Sequence, residues 1–313
     1  KGHTWCSEKI LRAAISNNIY ECCNKVDWLL ENNDFLHIDN GRIGLKYYYD
    51  IEIQIYHLIL NKSQIETTIN ISDEAIDKAI KHAEEEQGFD YVVEQLDTIH
   101  KSLHRTVSLI TGKAGTGKTS IMRAIVKAYM ENNYMMTASA LSAMAAQRIT
   151  EATEFPAMTI HRTLGCQGLN DFTYNKDNHL ITDVAFLDEG SMVNASLFLH
   201  WLEAIGDNTR IIISGDHKQL PPIGFGNVFS DLIEMFDESV VSKLVKPMRQ
   251  AEKSGILVDA NKIRENINPI SEKLQPRIIH GELQDMYYMF RTNRQSLFNI
   301  AIKTFIKSVE SDG

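Results

Sequence analysis

The segment Val107-Ser-Leu-Ile-Thr-Gly-Lys-Ala-Gly-Thr-Gly-Lys-Thr-Ser120 constrains this chain more than any other. An apolar run of strand type enters GKAGTGKT, and an amphipathic stretch leaves it. Strand, glycine loop and helix together are the context in which G-x-x-x-x-G-K-[ST] forms a phosphate cradle. Glycines at 112, 115 and 117 let the backbone bend so that successive amide hydrogens point at an anion, and a helix starting near Lys118 adds its positive end. On this reading Gly112, Ala114, Gly115, Thr116, Gly117, Lys118, Thr119 and Ser120 enclose the phosphates of ATP. Lys118 reaches the β and γ phosphates and Thr119 holds Mg2+. At average glycine usage, a chance match in a chain of this length has odds on the order of one in a hundred, and the flanking strand and helix lower them further. The competing reading is a glycine-rich turn with an incidental lysine.

Around this loop, strand-like runs alternate with helical ones: Val107 to Thr111, Ser120 to Glu131, Tyr134 to Ala138, Ser142 to Thr150, Val184 to Leu187 and Ile211 to Ser214. Such alternation predicts an α/β fold, a mostly parallel sheet with helices on both faces. Before it, residues 6 to 33 read as two short amphipathic helices. Asn40-Gly41 between alternating apolar runs predicts a β-hairpin, and a helix follows from about Tyr47 to Asn61. Helix, helix, hairpin, helix is the order of a small winged-helix-like region, which serves either as a brace or as a DNA reader; its hairpin lacks a basic cluster. Ile71 to His104 reads as helical and acidic, with Glu84-Glu85-Glu86 as a solvated face. Three regions are expected: 1–92, helical and winged-helix-like; 93–245, an α/β ATPase domain; and 246–313, the start of a further, incomplete unit. In the last, Met286 to Phe290 reads as a strand and Gln295 to Lys307 as a helix.

A second apolar run, Val184-Ala-Phe-Leu, ends in Asp188-Glu189. This places two carboxylates at the C-terminal edge of the sheet, where the phosphate loop also lies. Asp188 is then a Mg2+ ligand, and Glu189 the base that orients and deprotonates the attacking water. A third run, Ile211 to Ser214, leads into Gly215-Asp-His-Lys-Gln-Leu-Pro-Pro222. Gln219 there reads either as a contact to the γ-phosphate or its water, or as part of an ordinary proline-bounded turn.

Composition narrows the setting. Of 313 residues 43% are hydrophobic, ordinary for a globular chain, and no window approaches the roughly 20 apolar residues of a membrane span. A cytoplasmic, monomeric protein with no membrane contact is the expectation. The net charge of −9 argues against bulk electrostatic coating of nucleic acid and leaves room for a local groove. Cys6, Cys22, Cys23 and Cys166 show no paired CxxC spacing, so buried free thiols are expected rather than a metal cluster or disulfides.

With these residues in view, the chain resembles the RecD-like helicases of superfamily 1, whose members move 5′ to 3′ on single-stranded DNA. The resemblance runs through Gly2-His-Thr4, Tyr47 to Ile55, the phosphate loop, Ala157-Met-Thr-Ile-His-Arg162, Leu187-Asp-Glu-Gly-Ser-Met-Val193, Gly215 to Pro222 and Met248-Arg-Gln250. It implies that Gln95 reads adenine and that Arg249 reaches the γ-phosphate from a second motor domain. It also implies that Ser142, Thr159, His161 and Arg162 grip the DNA backbone, and that Gln167 to His179 is a short form of a strand-separating hairpin. Ala114 stands where the family often has proline, and Gly190 where it has alanine. The late motifs of a second motor domain do not occur before Gly313, so a longer helicase acting on single strands and duplex junctions is expected. Its candidate partner is a nuclease or recombination protein. The opposing class is a nucleotide-gated binding module without movement.

Overall fold

The computed structural model describes residues 4–18, 25–31, 34–168, 171–246, 253–270, 277–290 and 293–311. Gly2, His3, Cys22, Cys23 and the segment Met248-Arg249-Gln250 lie outside these residues, and with them the reading of Arg249. The chain divides into two compact units, 1–112 with 117–246, and 113–116 with 247–313.

The first unit opens with β1 (Trp5–Ser7), α1 (Glu8–Asn18), α2 (Val26–Glu31), the hairpin β2 (Leu36–Asp39) and β3 (Arg42–Leu45), and the long α3 (Lys46–Ser63). Asn40 and Gly41 take φ values of 47° and 74°, as a two-residue hairpin turn requires. The residues before α1 form a strand rather than helix: β1 pairs antiparallel with β3, Cys6 opposite Ile43. Then come α4 (Asp73–Gln87), α5 (Val93–His104), β4 (Val107–Gly112), α6 (Lys118–Glu131), β5 (Met136–Ala140), α7 (Ala143–Thr153), β6 (Ala157–Thr159) and α8 (Ile160–Thr163). The small ribbon β7 (Cys166–Gly168) and β8 (Asp171–Phe172) precedes β9 (Val184–Asp188), α9 (Ala195–Glu203), β10 (Arg210–Gly215), α10 (Val228–Met235) and β11 (Val241–Leu244).

Among the described residues, six strands form one parallel sheet in the order β11-β4-β10-β9-β5-β6. Successive strand residues point to opposite faces, and the two cores divide accordingly. Leu109, Ala185, Leu187, Ile211 and Ile213 pack on one face with Ile51, Ile55 and Ile59 of α3, Phe198 and Trp201 of α9, and Phe229 of α10. Ile110, Phe186 and Ile212 pack on the other with Ile76 and Ile80 of α4, Ile99 and Leu103 of α5, Ile125 and Tyr129 of α6, and Ile149 of α7. Strands buried on both faces explain why these runs are continuously apolar rather than alternating. The helices before the phosphate loop thus supply part of both cores.

Strand β5 starts two residues later than the apolar run. Asn133 takes φ 59°, and Tyr134 instead places its hydroxyl at 3.1 Å from the Asn70 amide nitrogen, which donates to it. Cys166 corrects the expectation of buried thiols. It is free and exposed, because the β7–β8 ribbon stands off the core and every residue of β7 is exposed. Cys6 is free and half-buried.

In the second unit, α11 (Gly255–Arg264) is followed by the antiparallel pair β12 (Arg277–His280) and β13 (Met286–Met289), and by α12 (Arg294–Ser311). Ser254 caps α11 by accepting from Leu257 N, and Asp285 accepts from Ser254 Oγ at 2.5 Å and Gly255 N at 2.7 Å. No described helix is long and apolar enough to cross a membrane.

Candidate nucleotide site

Four parallel strands bring their C-terminal ends into register: Thr111 opposite Gly215, Leu187 opposite Ile213, and Ala140 opposite Asp188. In the sheet order, β10 separates β4, which feeds the phosphate loop, from β9, which ends in the acidic pair. Gly115 and Gly117 take φ values of 81° and 86°, and Gly117 is the cap from which α6 begins. A side chain at either position would meet the left-handed penalty of roughly 1–2 kcal/mol. Thr116 closes the turn, its Oγ1 donating to the Lys113 carbonyl at 2.8 Å. The Lys118 ammonium donates to the Gly112 carbonyl at 2.6 Å. Thr119 and Ala114 are exposed, whereas Gly112 is buried.

Asp188 accepts a short hydrogen bond from Ser214 Oγ, so β10 orients the carboxylate that the sequence assigns to Mg2+. Glu189 adopts φ 53°, a left-handed conformation uncommon outside glycine and concentrated at functional positions. Burial raises the affinity of its carboxyl for a proton, and the charge of Asp188 adds to this, against the opposing pull of Arg148 and Lys118. A carboxylate more basic than usual, near the Lys118 ammonium, suits proton abstraction from water. The residues present fit Mg2+: a carboxylate held by a hydroxyl, with an exposed threonine hydroxyl at the start of α6, offers hard oxygen donors.

The loop after β10 is anchored from both sides. His217 Nδ1 lies 2.7 Å from Thr111 Oγ1, and Asp216, 3% exposed, donates its amide to Ser191 Oγ at 3.4 Å. Gln219 is exposed, its amide donating to the Asp216 carbonyl at 3.0 Å. Gln95 is 3% exposed, and its Oε1 accepts from Val92 N at 3.1 Å, so it caps the start of α5. Nearby, Ser120 Oγ donates to Gln87 Oε1 at 2.7 Å, and Tyr91 OH to the Ser120 carbonyl at 2.7 Å.

Of the four residues read as DNA contacts, Ser142 follows β5, Thr159 ends β6, and His161 and Arg162 lie on α8. Ser142 caps α7 by accepting from Ala145 N at 3.1 Å, and Thr159 caps α8 by accepting from Arg162 N at 3.3 Å. Each hydroxyl keeps its proton to donate. His161 and Arg162 are exposed on α8. Behind them, Ser139 and Thr163 share a buried hydrogen bond of 3.0 Å that joins α8 to β5.

Sequence reasoning missed Ser214, Thr111, His217 and Arg148. The first three become visible only through strand register. Arg148 stood inside an alanine-rich segment that also suits plain helix packing.

A family profile described as "AAA domain" matches residues 90–284. The RecBCD enzyme subunit RecD of Buchnera aphidicola (subsp. Schizaphis graminum) is 25% identical over 309 residues, covering 86% of this chain and 49% of that protein. The ATP-dependent RecD2 DNA helicase of Deinococcus radiodurans is 33% identical over 184 residues, covering 59% and 24%. The chain therefore spans about half the length of the first and about a quarter of the second. The crystal structure of Pif1 helicase from Candida albicans aligns with 56% of this chain and 44% of its own at 24% identity and a TM-score of 0.43; the fold assignment rests on the strand order given above. The chain belongs to the AAA domain family and is RecD-like in sequence.

Proposed function

We propose that this chain carries the ATP-hydrolysing core of a RecD-like DNA helicase that moves 5′ to 3′ on single-stranded DNA. The observation that supports this most is the meeting of three groups at one sheet edge: the loop ending in Lys118, the oriented carboxylate Asp188, and the more basic Glu189. In this reading Lys118 neutralises charge on the β and γ phosphates, Thr119 and Asp188 hold Mg2+, and Glu189 takes the proton of the attacking water. Bound Mg2+ would polarise the γ-phosphate. Gln219 senses that phosphate from the loop after β10.

Arg249 acts on the γ-phosphate through its rigid guanidinium, as the resemblance implies, with 1–92, 93–245 and 246–313 as the functional division into a helical and winged-helix-like region, a RecA-like ATPase domain and the start of a second such domain. The exposed His161 and Arg162, with the hydroxyls of Ser142 and Thr159, hold the DNA backbone without reading bases. Gln95 faces adenine only if it gives up its cap to Val92. The relatives named as subunits of the RecBCD enzyme make a nuclease or recombination complex the partner class to examine.

The test is ATP hydrolysis with and without single-stranded DNA, on this chain and on the longest natural form of the protein, each beside Lys118→Ala. Stimulation by DNA that Lys118→Ala abolishes is the expected result. A rate indifferent to DNA in both forms sinks the motor and leaves the nucleotide-gated binding module.

A further inference from the structure

Helices α4 and α5 carry a side-chain cluster that nucleotide chemistry does not use. Asp73 and Asp77 lie one turn apart on α4, and His100 and His104 one turn apart at the end of α5, so each pair shares a helix face. The helices run antiparallel, which brings the two faces together. His104 Nε2 is 3.0 Å from Asp73 Oδ1, and His100 Nδ1 is 3.7 Å from the same oxygen. One donor atom from each of the three residues lies within 4.8 Å of the others. Donors sharing a tetrahedral zinc ion stand roughly 3.3 Å apart, so small side-chain rotations suffice to close this set on one ion.

The second nitrogen of His100 strengthens the case. His100 Nε2 lies 3.1 Å from Asp77 Oδ1, and a ligating histidine commonly gives its other ring N–H to a carboxylate, which fixes the ring and raises its basicity. That hydrogen bond leaves Nδ1 as the free lone pair, directed to the Asp73 side. The neighbouring cation is kept away, since Lys101 Nζ is paired with Asp97 at 2.6 Å. Asp73 and His104 are at least half exposed at their side chains, so the cluster is open to solvent.

We propose that Asp73, His100 and His104 bind a divalent transition-metal ion of the zinc type, with Asp77 as the residue that orients His100. Two imidazoles select this class over Mg2+ and Ca2+, which prefer all-oxygen sites. The bound ion clips α4 to α5, the helix that leads into β4 and the phosphate loop, and so stabilises the fold without joining the reaction.

The chain, stripped with a chelator, is titrated with Co2+ while visible absorption is followed, and Zn2+ is then added in competition. One Co2+ per chain with d–d bands of a four- or five-coordinate ion, displaced by Zn2+, is expected, together with a rise in melting temperature on adding Zn2+. His100→Gln and His104→Gln should each weaken binding by at least about 100-fold, and Asp77→Asn by about 10- to 100-fold. His82→Gln, outside the cluster, should leave it unchanged. Circular dichroism of the metal-free variants separates lost binding from lost folding. Absence of a saturable cobalt spectrum, or affinity untouched by both histidine changes, overturns the site and leaves the cluster as plain His–Asp hydrogen bonds.

Discussion

Lys118 rests its ammonium on the Gly112 carbonyl, so on the proposed reading a nucleotide would have to take that cation from the loop's own backbone. Glu189 is set apart by its left-handed backbone and partial burial. Glu189→Gln is expected to keep ATP affinity and to lower turnover by about 100-fold or more, measured by equilibrium binding and phosphate release; hydrolysis at the unaltered rate removes the base assignment. Gly190 is a different kind of constraint. A Cβ there would lie 2.6 Å from Ile213 Cγ2, so even an alanine crowds the β10 side chain. Gly190→Ala should destabilise by about 1–3 kcal/mol in urea unfolding, and an unchanged midpoint would contradict the close approach. At this scale the placement of Lys118 at the start of α6 and of Asp188 and Glu189 at the end of β9 was legible, because loop and strand-end patterns announce it. Ser214 was not, since it meets Asp188 across 26 residues through sheet register alone. Gln95, an adenine contact by resemblance alone, accepts on its Oε1 from Val92 N.

Two buried cations tie elements together. Arg210, 4% exposed, opens β10 and donates to the carbonyls of Leu103 and Ile69 and to Thr67 Oγ1, fixing the α3–α4 connection and the end of α5 to the sheet. Arg210→Met leaves those acceptors buried without a donor and should cost roughly 2–4 kcal/mol in chemical denaturation; a loss within error of zero would show that the acceptors find water. Lys62, at the end of α3, donates to the carbonyls of Gly206 at 2.6 Å, Asp207 at 3.2 Å and Thr209 at 3.3 Å. Burial lowers its pKa from 10.5 to about 8, against a smaller opposing effect of Asp207. Between about pH 8 and 10.5 the unfolded chain therefore binds the extra proton, and stability due to this residue rises with pH. The stability of the native chain relative to Lys62→Met should be flat below pH 8 and climb above it; a falling difference would reverse the assignment. Elements with strong period or turn chemistry were legible, as with β4, α6 and the Asn40-Gly41 hairpin. The strand β1 was not, because three residues carry too little pattern and its pairing partner β3 lies over 30 residues away.

At the scale of the molecule, alternate residues of the central strands divide the first unit into two cores, one closed by α3, α9 and α10 and the other by α4 to α7. The parallel sheet and its buried strands were readable from apolar runs alternating with helical ones. That α3, α4 and α5 complete those cores was not, since an amphipathic helix in sequence does not say which surface it covers. The loop after β4 and the acidic pair after β9 sit at the C-terminal edge of the sheet between those faces. The central claim is that this edge binds Mg2+-ATP through the loop Gly112 to Thr119. Calorimetric titration of ATP into the chain, with and without Mg2+ and beside Lys118→Ala, tests it most directly. The account predicts saturable binding that depends on Mg2+ and is lost in Lys118→Ala; affinity unchanged by that substitution would contradict it.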